Sequence, residues 1–175
     1  MELPLIVLNV QRAGPATGMP TKSEQADLLQ SMFGRSGECP VIVLAASSPG
    51  NCFHMAIEAI RLSTRAMCPV ILLSEGSLVN AAEPWLIPNL SEIPSIEVTH
   101  PEANGELFMP YQRDPKSMAR QWAIPGTEGL EHRIGGLEKE DVTGNVCYDN
   151  DNHATMTRNR AGKIQKLQDI IPELE

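Results

Sequence analysis

The sequence predicts an α/β fold with a Rossmann-like parallel sheet, because three apolar runs alternate with two helical segments. The runs are Leu3–Val10, Pro40–Ala45 and Pro69–Ser74, and leucine, isoleucine and valine dominate all three. None of them alternates with polar residues, which is the pattern of parallel strands covered on both faces. The order strand–helix–strand–helix–strand is typical of parallel strands joined by crossover helices.

The first helical segment is predicted over residues 21–33. Its opening TKSE at 21–24 has the spacing of a capping box, in which Thr21 and Glu24 satisfy free backbone amides. Gly34 and Gly37 follow and favour the end of the helix there.

The second helical segment begins after Ser48, with Pro49 at the first helical position, where its missing amide costs least. Apolar residues then recur at helical spacing, at Phe53, Ala56, Ile57 and Ile60.

The stretch from Glu83 to Asn152 shows no helix or strand period, and seven of the 14 prolines lie within 84–125. A long irregular stretch in a compact domain usually lies against another surface. We therefore divide the chain into a parallel βαβαβ part (1–83), a proline-rich arm contacting other chains or domains (84–153) and a C-terminal helix (154–175). Aromatic residues are the expected anchors of the arm: Trp85, Tyr111, Trp122 and Tyr148.

Composition excludes several classes of function. The net charge of -8 argues against nucleic acid or an anionic membrane as a partner. No apolar run approaches the ~20 residues that a membrane helix needs, and the N-terminus lacks signal-peptide features. The four cysteines are too far apart for a zinc or iron–sulfur knuckle. Reading them as reduced thiols predicts a cytoplasmic protein.

The sequence NVQRAGPATGMPT at 9–21 follows the first predicted strand, at the sheet edge where parallel sheets bind ligands. Arg12 offers a planar guanidinium suited to a carboxylate or phosphate, and Thr17 and Thr21 offer hydroxyls. Gly14 and Gly18 permit close approach of the backbone. These residues indicate an anion-binding loop. A surface turn with a solvated arginine and a helix cap at Thr21 accounts for them equally well.

The segment LPLIVLNVQRAGPATGMPTKSEQADLLQ resembles the alpha subunit of 2-oxoacid:ferredoxin oxidoreductases, most closely the 2-oxoglutarate type, whose pattern is roughly QRGGPSTGLPTxxEQxDL. Further matches follow in order: PVILLSEG, NAAEPWLIPNL, WAIPGTEGLEHRIGGLEKEDVTGNV and DNHATM. The resemblance covers nearly the whole chain. Ala13 and Ala16 stand where the family usually has glycine and serine, and Ala13 would resist a positive φ.

The resemblance implies that the chain is an internal part of such a subunit, the second half of the domain that covers the aminopyrimidine of thiamine diphosphate. It implies oxidative decarboxylation of a 2-oxoacid to an acyl-CoA, with ferredoxin as electron acceptor. The expected substrate is 2-oxoglutarate, and pyruvate and branched-chain 2-oxoacids are the alternatives. Thiamine diphosphate, Mg²⁺ and the iron–sulfur cluster are expected mainly on a partner beta subunit, and the pyrimidine-activating glutamate is expected upstream of residue 1. The chain alone is therefore expected to be inactive.

Arg12 matches the family's arginine for the substrate carboxylate, and Thr17 and Thr21 are the further candidates for substrate contacts. The resemblance assigns no catalytic, cofactor-binding or metal-binding residue to this chain. It implies an oligomer that includes the beta subunit and meets ferredoxin, the 2-oxoacid and coenzyme A. The rival hypothesis is a non-catalytic interaction module whose 84–153 arm wraps a partner. A flavodoxin-like nucleotide-binding domain is disfavoured, because no glycine-rich phosphate fingerprint follows any strand.

Overall fold

Three parallel strands form one sheet in the computed structural model of the chain, which describes residues 1–171. The strands are β1 (Leu5–Gln11), β2 (Ile42–Ala45) and β3 (Pro69–Glu75), in the spatial order β1–β3–β2. Both pairs are parallel, and the register places Gln11 opposite Glu75. The carboxyl ends of β1 and β3 therefore lie at the same edge. The predicted Rossmann-like parallel sheet is confirmed.

Burial differs sharply between the central strand and β1. In β3, Val70 is fully buried and Leu72 is 6% exposed. In β1, Leu5 and Leu8 are 56% and 60% exposed, although they point to opposite faces of the sheet. The expectation that every strand is covered on both faces is wrong for β1. This strand lies at an edge of the sheet, and most of its side chains are open to solvent among the described residues.

The helices are α1 (Leu28–Phe33), α2 (Pro49–Ala66), α3 (Gly76–Asn80) and α4 (Asn150–Gln165). Short 3₁₀ turns lie at Leu90–Glu92 and Lys166–Asp169. Helix α2 begins at Pro49, as predicted, and α3 is a short helix that the sequence pattern did not indicate. None of the described helices combines the length and the apolar character needed to cross a membrane.

The predicted capping box at 21–24 does not form, and α1 begins only at Leu28. The carboxylate of Glu24 accepts a hydrogen bond from the Gly14 amide at 2.9 Å, ten residues away. The capping-box glutamate is thus bound elsewhere, so Thr21 caps no helix.

Helix α4 begins at Asn150, four residues before the predicted helix over 154–175. Asp149 is its N-cap, and its carboxylate accepts a hydrogen bond from the Asn152 amide at 2.9 Å. This contact satisfies one of the free amides of the first turn. Residues 172–175 of the predicted helix lie outside the described part of the chain.

Contacts group the chain into two compact units. One comprises residues 4–64 and 68–97 and contains the sheet. The other comprises residues 1–3, 65–67 and the chain from Val98 onward.

In the second unit, buried side chains hold the first residues of the chain. Tyr111 is 2% exposed, and its hydroxyl donates to the Met1 carbonyl at 3.3 Å. Arg120 is 3% exposed, and its Nε donates to the Glu2 carbonyl at 2.8 Å. The expectation that Tyr111 anchors another chain is wrong, because its ring is buried inside this unit.

Candidate functional site

The candidate site is the loop that leaves the carboxyl end of β1, residues 12–22, which we call the Arg12 loop. It starts next to Gln11, the residue paired with Glu75 at the end of the central strand. Arg12 is exposed, and within residues 1–171 its guanidinium makes no hydrogen bond or ion pair with another residue. The side chain is therefore available to a ligand at the sheet edge where such folds bind ligands.

Backbone hydrogen bonds close the Arg12 loop on itself. The Ala13 amide donates to the Lys22 carbonyl at 2.9 Å, and the Met19 amide donates to the Ala13 carbonyl at 3.0 Å. This closure brings the backbones next to Arg12 and Thr21 together at the neck of the loop, whereas Thr17 lies further out. Both threonines are exposed, and neither hydroxyl bonds to another described residue.

Gly18 is the position at which this closed loop requires glycine. Its φ is +44°, and a Cβ placed there would lie 2.2 Å from the Ala13 carbonyl oxygen. Any larger residue would break the neck. Ala13 itself does not adopt a positive φ, so replacing the family's usual glycine there introduces no such strain. The positive φ falls on Ala16, at 52°.

Two residues clamp the Arg12 loop to the sheet. Gln11 is 6% exposed, its Nε2 donates to the Ser74 carbonyl at 3.2 Å, and its Oε1 accepts from the Asp27 amide at 2.9 Å. The Asp27 carboxylate in turn accepts from the side-chain Nδ2 of Asn9 at 3.0 Å. The chain is thus fixed on β1 both before the loop and after it.

Glu75 ends β3 opposite Gln11 and is the N-cap of α3. It is 3% exposed and accepts hydrogen bonds from the Ser77 amide at 2.8 Å, from the Ser77 hydroxyl and from the Leu78 amide at 3.2 Å. The bonds from Ser77 are the main reason that the pKa of Glu75 is lowered to about 2, and a bond from Ser23 adds to them. Glu75 therefore remains ionised at the carboxyl edge of the sheet, opposite Gln11.

Sequence reasoning identified Arg12 but missed the polar residues that support it. Gln11 bonds to Ser74, 63 residues away, and to Asp27, 16 residues away, and no local period reveals such contacts. The bonds of Glu75 to Ser77 and Leu78 are local and cap α3. The available signal was position, because Gln11 and Glu75 are polar residues at the carboxyl ends of two mostly apolar strands.

The chemistry of the Arg12 loop suits an anionic organic ligand. A guanidinium can bind a carboxylate through two parallel hydrogen bonds, and hydroxyls and backbone amides can complete its coordination. These donors do not suit a metal ion. Within residues 1–171, no group of three or more His, Cys, Asp or Glu side chains is arranged to hold one.

Residues 1–148 match the family described as "Pyruvate flavodoxin/ferredoxin oxidoreductase, thiamine diP-bdg". The chain is 53% identical over 174 residues to the 2-oxoglutarate oxidoreductase subunit KorA of Mycobacterium tuberculosis (strain H37Rv), which covers 99% of this chain and 26% of that protein. It is 40% identical over 180 residues to subunit alpha of 2-oxoacid:ferredoxin oxidoreductase 1 of Sulfurisphaera tokodaii, covering 98% of this chain and 27% of that protein.

Among solved structures, the chain is similar to the 2-oxoglutarate:ferredoxin oxidoreductase from Magnetococcus marinus, whose structure holds 2-oxoglutarate, coenzyme A and succinyl-CoA. The TM-score is 0.87 at 32% sequence identity, and the match covers 99% of this chain and 30% of that one. The chain therefore spans about a quarter to a third of the length of these relatives.

Proposed function

The chain belongs to the pyruvate flavodoxin/ferredoxin oxidoreductase family, within its thiamine diphosphate-binding region, and from this membership we propose that it is part of the alpha subunit of a 2-oxoacid:ferredoxin oxidoreductase. The proposed reaction is the oxidative decarboxylation of a 2-oxoacid to an acyl-CoA. The proposed substrate is 2-oxoglutarate, because the named relatives include a 2-oxoglutarate oxidoreductase subunit and a 2-oxoglutarate-bound enzyme.

The observation that carries the proposal is the unpartnered guanidinium of Arg12 at the carboxyl edge of the sheet. A 2-oxoacid has its carboxylate beside the carbonyl carbon that reacts. Binding that carboxylate through two hydrogen bonds would fix the position of the carbonyl, and correct positioning supplies a large part of catalysis. Thr17 and Thr21 are proposed to add hydroxyl contacts to the same substrate.

The chemistry that thiamine diphosphate supplies when bound is nucleophilic addition to the substrate carbonyl. The contribution of this chain is to bind and orient the substrate through the Arg12 loop. We propose that Mg²⁺ and the iron–sulfur cluster are held mainly by a partner beta subunit, that the complex is an oligomer passing electrons to ferredoxin, and that it works in the cytoplasm.

A direct test is to assemble the full-length alpha subunit with its beta subunit and to measure coenzyme A-dependent reduction of ferredoxin. We expect the highest kcat/KM with 2-oxoglutarate, lower values with pyruvate and branched-chain 2-oxoacids, and no turnover by the 175-residue chain alone. An assembled enzyme that turns over none of these acids would refute the proposed function, and turnover by the chain alone would refute the need for the other parts.

We further propose that the 84–153 arm makes most of the contacts with other chains. Its segment WLIPNL leaves apolar side chains open to solvent: Leu86 is 90% exposed, Ile87 80% and Leu90 83%. Apolar side chains clustered this way are typical of an interaction surface.

Hydrogen exchange should therefore slow in this arm when the chain is part of the assembled enzyme. We expect the largest gain in protection in peptides covering 85–90, because Leu86, Ile87 and Leu90 are among the most exposed large apolar side chains of the described residues. Strand β3 serves as the internal control, since it is already buried and should exchange equally in both states. Equal protection of the arm in the isolated chain and in the complex would contradict the proposal.

A further inference from the structure

Glu24 makes a hydrogen bond across the Arg12 loop that the sequence pattern does not predict. Its carboxylate oxygen Oε2 accepts from the Gly14 amide at 2.9 Å, ten residues away. Gly14 is the second residue after Arg12. The bond therefore fixes the backbone next to the guanidinium, just beyond the point where Ala13 and Lys22 close the neck of the loop.

The exposure of Glu24 limits what this bond can contribute to folding. Glu24 and Gly14 both lie at the surface, where water competes for the same donor and acceptor. The buried residues Gln11 and Glu75, by contrast, make hydrogen bonds that water does not reach as easily. The effect expected of the Glu24 bond is local: it restricts the conformations of the backbone next to Arg12.

We propose that Glu24 is a positioning residue that holds the Arg12 loop in the conformation that receives the substrate carboxylate, an inference that rests on the proposed function. Orientation is the physical reason. A bidentate contact needs both the position and the direction of the guanidinium, and a loop free to move would populate the binding conformation for only part of the time. The affinity for the substrate falls in proportion to that fraction.

Positioning the loop requires an acceptor oxygen on residue 24 but not a negative charge. This requirement distinguishes positioning from a direct electrostatic action of Glu24 on the substrate. Glu24→Gln keeps an oxygen that can accept from the Gly14 amide, whereas Glu24→Ala removes it. A charge acting directly on the substrate would be lost equally in both variants. Glu58→Ala is the matched control, because Glu58 lies on α2 and its 2.5 Å ion pair joins it to Arg61 of the same helix.

The experiment uses the assembled enzyme with each of the three substitutions and measures kcat, KM for the 2-oxoacid and hydrogen exchange in peptides covering 12–22. We expect Glu24→Ala to raise this KM about ten-fold, the effect of losing roughly one hydrogen bond, and to speed exchange in the loop. Glu24→Gln should stay within about three-fold of the unaltered enzyme, since amide oxygens are weaker acceptors. Glu58→Ala should change neither quantity.

Three results would overturn the inference alone, in an enzyme whose unaltered form turns over the 2-oxoacid. One is an unchanged KM in Glu24→Ala. Another is a raised KM without faster loop exchange, which would mean that Glu24 acts on the substrate and not on the loop. The third is an equal rise of KM in Glu24→Gln and Glu24→Ala. If the unaltered enzyme turns over no 2-oxoacid, the proposed function fails and this inference falls with it.

Discussion

Replacing Arg12 with alanine is expected to lower kcat/KM for the 2-oxoacid by about ten-fold to over a hundred-fold in the assembled enzyme. A hydrogen bond to a charged group contributes about 1.5–3 kcal/mol, and each ~1.4 kcal/mol corresponds to a factor of ten. Arg12→Lys should recover only part of the loss, because an ammonium group cannot form the two parallel bonds of a guanidinium. Steady-state kinetics with the purified complex would measure both effects.

The fold should tolerate this change, because the Arg12 side chain is exposed and bonds to no other described residue. Arg65→Ala is a suitable control, since Arg65 is an exposed arginine in the last turn of α2 and is not part of the Arg12 loop. We expect the control to leave kcat/KM unchanged. An Arg12→Ala enzyme with full activity, or one whose main defect is a lower melting temperature, would show that Arg12 is not a substrate ligand.

The sheet could be predicted from the sequence because its signal is local. Each apolar run is long enough to indicate a buried parallel strand, and all three strands appear within two residues of their predicted bounds. Helix α2 was likewise indicated by Pro49 at its start and by apolar residues at helical spacing. These features depend on neighbours in the chain, so periodicity captures them.

The start of α1 and the exposure of β1 could not be predicted, because both depend on distant contacts. The bond of Glu24 to Gly14 replaces the local capping pattern that residues 21–24 would otherwise favour. The apolar pattern of β1 indicates a strand, but it does not show whether other segments cover the faces of that strand. Local preference is a weak guide wherever tertiary contacts offer a competing partner.

The residues of the candidate site also differ in whether the sequence could predict them. Arg12, Thr17 and Thr21 were accessible from loop composition, from their place after a strand and from the resemblance, and their substrate roles stay predictions. The supporting contacts of Gln11 could not be predicted, because they join it to Ser74, 63 residues away, and to Asp27, 16 residues away, and both depend on the folded sheet. The sequence therefore indicates the side chain proposed to bind the ligand, but not the contacts that hold its loop in place.

The second unit yields the largest expected effect on stability, through the buried ion pairs of Glu2. Its carboxylate accepts from Arg113 Nη2 at 2.7 Å and from Lys163 Nζ at 2.5 Å, with all three side chains less than a tenth exposed. Burial alone would raise the pKa of Glu2, but the hydrogen bonds and charges of Arg113 and Lys163 outweigh it and lower the pKa to about 2. The ionised carboxylate therefore stabilises the folded chain.

Glu2→Gln is expected to destabilise the 175-residue chain by about 3 kcal/mol at pH 7, because it removes the charge of the buried carboxylate that both Arg113 and Lys163 contact. Because the folded pKa is depressed, this contribution is fully present above the ordinary pKa of 4.5 and is lost as pH falls towards 2. Urea unfolding of both proteins at pH 7 and at pH 3 would measure the difference, which should be smaller at pH 3.

Glu106→Gln is the matched control, because Glu106 is exposed and bonds to Asn104, its near neighbour in sequence. Surface substitutions of this kind usually change stability by less than about 0.5 kcal/mol. A Glu2→Gln chain as stable as the control would show that the ion pairs contribute nothing net, as happens when desolvation cancels attraction. A loss that is equal at pH 7 and pH 3 would assign the effect of Glu2 to packing and not to its charge.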